Sequence, residues 1–152
     1  YAFDMARDDV LRLTSHAGEW GGAQSIWDTL ENLKVERIGH GVHAINDPKL
    51  VNYLAETGIV LEVNPGSNVA LGVYPSLAEH PISKLRDAGV KVTVSTDDPP
   101  FFHTTMTSEF DQLERVFGWG VDDFKQLNQT ALEAAFCDAT TKDLISKRLE
   151  AV

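Results

Sequence analysis

The stretch Val92-Thr93-Val94-Ser95-Thr96-Asp97-Asp98-Pro99-Pro100 decides how this chain is read. A β-branched run, the composition of a strand, ends in two adjacent carboxylates, and a proline pair then stops it. Neighbouring carboxylates repel unless something positive or hydrogen-donating sits between them, and a metal ion or a substrate meets that need. Successive strand residues face opposite ways, so a bend before Pro99 is required to turn both Asp97 and Asp98 to one side. A plain Asp-Asp-Pro turn is the competing reading, but a solvated turn needs no apolar run ahead of it.

Two more apolar runs finish in chemistry. They are Leu13-Thr14-Ser15-His16-Ala17-Gly18-Glu19 and Arg37-Ile38-Gly39-His40-Gly41. The first spacing lets His16 point into a barrel mouth while Glu19 reaches over the opening from the first helical turn, a metal ligand beside a general acid. The alternative is a helix N-terminus that merely favours Glu19. In the second, flanking glycines leave the His40 imidazole unobstructed, free to orient a water and take up its proton; a satisfied core histidine is the other option. Asn64, Ser67 and Asn68 are expected on the pocket floor. His43 reads as surface, His80 before Pro81 as the organiser of a helix start, and His103 as part of an aromatic loop over a pocket. Trp20, Trp27 and Trp119 read as packing residues.

Around these motifs the chain alternates strand and helix without a linker. Strands are predicted at Val10–Ser15, Glu36–Gly39, Ile59–Asn64 and Val90–Thr96. Gly22–Leu33 carries Ile26, Trp27, Leu30 and Leu33 at helical spacing. Asp47-Pro48 reads as a cap and first-turn proline, with Gly58 as the helix end. Pro65-Gly66-Ser67-Asn68 reads as a loop, and Pro81 to Gly89 brackets another helix. Three more helices are expected over Thr107–Phe117, Asp122–Phe136 and Thr140–Leu149. Strands separated by helices imply a parallel sheet, and α/β folds place their sites at strand C-terminal ends, where these polar residues cluster. A closed (β/α)₈ barrel takes about 250 residues. The 152 present amount to about half of one, read as a single partial domain over 1–152.

Composition narrows the partners. A net charge of −10 gives no basic footprint for nucleic acid and suits a small substrate. No apolar run reaches membrane-span length. Cys137 is alone, which fits a reducing cytoplasm. The chain opens at Tyr1 with neither an initiator methionine nor a leader, and its start reads as internal to a longer product.

Taken in series, Ser15-His16-Ala17-Gly18-Glu19, Arg37-Ile38-Gly39-His40-Gly41, Gly66-Ser67-Asn68 and Ser95-Thr96-Asp97-Asp98-Pro99 resemble the C-terminal half of a zinc-dependent adenosine deaminase. The resemblance covers essentially the whole chain. It implies the C-terminal half of a TIM barrel and Zn2+ as cofactor, with His16 and Asp97 as zinc ligands from the fifth and eighth barrel strands. It also implies Glu19 as proton donor to purine N1, and His40 orienting the attacking water and assisting its deprotonation. Asp98 would hydrogen-bond purine N7, and Gly18 would lie against the substrate. The His-x-Glu and Pro-Cys-x-x-Cys pattern of the cytidine-deaminase type is absent.

The departure from the family pattern is the missing His-x-His pair of the first strand, together with the first four strands. Two ligands are too few for a tight zinc site. The chain is therefore expected either to work with an N-terminal half or to be an inactive half-barrel. Alone, it would expose sheet edges and an apolar interior and would pair with another copy, pair with a partner half, or aggregate. Adenosine is the first expectation for the substrate and free adenine the second. Another metal-dependent hydrolase of the same superfamily is disfavoured, because Glu19 and Asp98 address a purine rather than a metal.

Overall fold

Four short strands, β1 (Thr14–Ala17), β2 (Arg37–His40), β3 (Val60–Val63) and β4 (Val92–Val94), lie side by side in chain order, all parallel. The structure is a computed structural model that describes residues 2–151. Between the strands run α2 (Gly22–Leu33), α3 (Pro48–Thr57), α4 (Pro65–Ala70) and α5 (Ile82–Asp87), following α1 (Ala2–Asp8) at the start. After β4 come α6 (Pro99–Phe102), α7 (Met106–Phe117), α8 (Val121–Ala134) and α9 (Ala139–Glu150). Among the described residues, no helix is long and apolar enough to cross a membrane.

Local signals explain most boundaries. Asp47 caps α3 by accepting from the Lys49 N–H at 2.9 Å, with Pro48 as its first residue and Gly58 in the left-handed conformation at its end. The elements that differ from expectation have local causes. The first strand begins at Thr14 rather than Val10, because Val10 has φ +61 and its N–H bonds back to the Arg7 carbonyl, closing a turn after α1. Pro65 to Asn68, expected as a loop, forms the first turn of α4, where a leading proline loses nothing by lacking an N–H. The Pro99-Pro100 pair starts α6 in the same way.

The sheet has two unlike faces. Ala17, Ile38, Leu61, Val63 and Val92 point to one side and are buried against Ile26, Leu50, Leu54, Ile82 and Leu85 from the helices. The other side carries Thr14, His16, Arg37, Glu62, Thr93 and Ser95, none of them buried. Arg37 Nε pairs with Glu62 Oε1 at 3.0 Å, and Thr14 Oγ1 donates to Glu62 Oε2 at 2.8 Å. Parallel sheets normally have both faces covered. The open face here is polar apart from Val60, where an apolar interior was expected. The expected open edges are present, since among the described residues β1 and β4 each have one neighbour in the sheet.

Candidate active site at the strand ends

The register sets His16 opposite Gly39, and Gly39 opposite Glu62. A Cβ on Gly39 would come within 3.1 Å of the His16 ring, so glycine here makes the room in which that imidazole lies. His16, Glu62, Asn64, Thr93, Ser95 and Asp97 line one open cavity of about 320 Å³ over the polar face.

At the ends of β2 and β4 the chain turns sharply. His40 has φ +61 and Asp97 has φ +57, a left-handed conformation that costs a non-glycine residue on the order of 1–3 kcal/mol and clusters at functional sites. The turn at Asp97 is the bend the sequence required before Pro99. It brings Asp97 to the cavity, where Ser67 Oγ donates to its Oδ2 at 2.8 Å. Asp98, immediately after, is exposed at the start of α6 and makes no side-chain cap there.

His40 is only 1% exposed. Its Nε2 faces Glu19 Oε2 at 3.7 Å and Asp97 Oδ2 at 3.8 Å, and its ring stands 5.1 Å from that of His16. Burial pushes the His40 imidazole below its ordinary value, against the pull of the two carboxylates, which raise it. Three strand ends therefore meet at one point. Glu19 reaches it from the bend after β1 rather than from a helical turn, since α2 begins only at Gly22. Gly18 makes that bend possible: it has φ +67, and a Cβ would collide with Ile26. Its N–H donates to Ser25 Oγ at 2.9 Å and its carbonyl accepts from His43 N–H at 2.9 Å.

Imidazole nitrogen and carboxylate oxygen are good zinc donors, and His16 and Asp97 open on the same cavity. They fit as two of four ligands. Among the described residues no three His, Cys, Asp or Glu side chains converge as a metal cage.

Sequence reasoning missed the supports. Glu109 of α7 is buried, accepts from Gly66 N–H at 3.0 Å and Thr104 Oγ1 at 2.6 Å, and so pins the start of α4, which carries Ser67 and Asn68. His80 is 2% exposed. Its Nδ1 accepts the Ile82 N–H at 3.2 Å, which is the helix-start role expected of it. Its Nε2 donates to Asn68 Oδ1 at 3.1 Å, and the Tyr74 ring packs edge-on at 5.0 Å. Trp119 is buried, and Trp27 donates to Asp47 Oδ2 at 2.9 Å, as packing residues do. Trp20, expected as a packing residue, is 65% exposed; Phe101, in the expected aromatic cover, is 78% exposed, and His103 is exposed too.

Burial holds the His80 imidazole down at about 4, against 6.5 in the unfolded chain. Between those values the unfolded chain binds the extra proton and the folded one does not, so stability is full above 6.5 and falls as pH drops toward 4. The loss is expected to reach roughly 3 kcal/mol. Denaturant melts across that window check it: His80→Gln should flatten the slope, and an unchanged slope in H80Q would assign it to other groups.

A family model described as adenosine deaminase matches residues 1–152. The chain is 51% identical over 148 residues to an adenine deaminase of Rhizobium johnstonii, covering 97% of this chain and 46% of the relative. Among solved structures, an adenine deaminase from Arthrobacter aurescens superposes with a TM-score of 0.94 at 32% identity, over 98% of this chain and 46% of that one. An amidohydrolase from Burkhoderia ambifaria, with bound Zn, gives 0.83 at 30% identity, over 99% and 46%. The chain spans about half the length of the curated relatives it matches.

Proposed function

The chain belongs to the adenosine deaminase family, and from that membership we propose that it contributes the C-terminal half of a zinc-dependent purine deaminase site whose substrate is free adenine. The observation that carries the proposal is the meeting of Glu19, His40 and Asp97 from three strand ends, with both carboxylates within 4 Å of one imidazole nitrogen. The sequence alone ranked adenosine first; relatives at 51% identity that are named adenine deaminase favour the smaller substrate. A polar open face with two waiting zinc donors also supports a half-site over a self-associating fragment.

In this reading His16 and Asp97 hold the ion, together with ligands from the rest of the protein. When bound, zinc makes water a competent nucleophile at neutral pH. Ser67, bonded to Asp97 Oδ2, fixes which carboxylate oxygen remains for the metal. His40 stands between Glu19 and Asp97 and orients the water toward C6. Glu19 delivers a proton to N1, which takes up the electron pair displaced from the C6–N1 double bond. Water adds to C6, its first proton passing to a carboxylate at the site and so restoring Glu19, and its second passing to the amino group, which leaves as ammonia to give hypoxanthine. In the same reading Asp98, exposed at the start of α6, hydrogen-bonds N7.

Ammonia release from adenine and from adenosine, measured side by side in the native protein, tests the choice. Adenine is expected to be turned over with a kcat/KM at least tenfold higher, about 1.4 kcal/mol of discrimination. Equal or better turnover of adenosine would return the assignment to the nucleoside.

A further inference from the structure

The position of the proton on His40 is traceable from the backbone. An amide N–H can only donate, so the Ile82 N–H at 3.2 Å requires His80 Nδ1 to be a bare acceptor. His80 is neutral at ordinary pH, because burial depresses it, and its one hydrogen is therefore on Nε2. That hydrogen points at Asn68 Oδ1, 3.1 Å away. With its oxygen so engaged, the Asn68 amide turns its Nδ2 to His40 Nδ1 at 3.2 Å. Asn64 Nδ2 approaches the same nitrogen at 3.3 Å. Two donors on Nδ1 leave the hydrogen of neutral His40 on Nε2, the atom that faces Glu19 and Asp97. Asn68 is fully buried, so no solvent competes for these contacts.

We propose that Asn68 and His80 are positioning residues that lock His40 in the tautomer with its hydrogen on Nε2, so that His40 presents a donor, not an acceptor, to the reacting centre. His40 thereby gives a hydrogen bond to an oxygen bound there, and a proton leaving that oxygen goes to a carboxylate. The effect on turnover rests on the deaminase reading; the tautomer does not.

The test is Asn68→Asp, which replaces the amide donor by an oxygen in the same shape. Nitrogen-15 NMR of the histidine rings in the native protein reads which nitrogen carries the hydrogen. The wild type is expected to show it on His40 Nε2, and N68D to show a hydrogen on Nδ1. In the same variant kcat for adenine is expected to fall on the order of 10–100-fold, the usual effect of losing an orienting partner, with KM little changed and zinc retained. His80→Leu should repeat the effect, while H80Q, whose amide still donates to Asn68, should stay close to wild type. A bare His40 Nδ1 in both N68D and H80L would overturn the proposal, as would a wild-type hydrogen on Nδ1. A wild type that shows the expected tautomer but deaminates no purine would overturn the deaminase reading and leave the lock standing.

Discussion

Asp97→Ala in the native protein is expected to lose bound zinc and purine deamination together, with activity down at least roughly a thousandfold. Removing one of few ligands takes away several kcal/mol of charge stabilisation in the transition state, and each 1.4 kcal/mol is about tenfold in rate. Alanine also tolerates φ +57 poorly, so a stability loss would accompany the chemical one. Asp97→Asn separates the two. Asparagine is at home in the left-handed region and can still accept from Ser67, but it carries no charge to hold a cation. D97N is therefore expected to melt close to wild type while losing most of its zinc. Full zinc in D97N would remove Asp97 from the ligand set.

Glu19→Gln is expected to lower kcat by about 10²–10⁴-fold, the range for removing a general acid, with zinc still bound. The substitution keeps size and hydrogen-bonding shape, and Gly18 continues to aim the side chain over the mouth. Glutamine can donate a hydrogen bond to N1 but cannot transfer a proton to it. The comparison with D97N is informative, because one variant loses metal and rate while the other loses rate alone. If E19Q keeps activity within about tenfold of wild type, another group protonates N1.

His16, Glu19, His40 and Asp97 were legible because each lies at the end of an apolar run, where polar residues have no packing reason to be. The parallel order of the strands followed from the helices between them. Other features depend on contacts too distant in sequence to see. Glu109 meets Gly66 across 43 positions and His80 meets Asn68 across 12, and nothing local to either residue announces the partner. The polar face was present in the alternation Arg37, Gly39 and Glu62, Asn64, but a rule that parallel strands are buried on both sides hides it. Trp20 misled because a large indole in the interior is the common case, whereas here it stands on the bend beside Glu19. Substrate choice was not legible, since Glu19, His40 and Asp98 are expected to address the purine that adenine and adenosine share.

His16 and Asp97 are proposed as two ligands of one ion completed from elsewhere in the native protein. Anomalous diffraction at the zinc edge, from crystals of that protein, addresses this directly. A single peak is expected within about 2.0–2.2 Å of a His16 ring nitrogen and an Asp97 carboxylate oxygen, with further protein donors contributed by residues outside this chain. A zinc peak that touches neither residue, or none in a protein that still deaminates adenine, would contradict it.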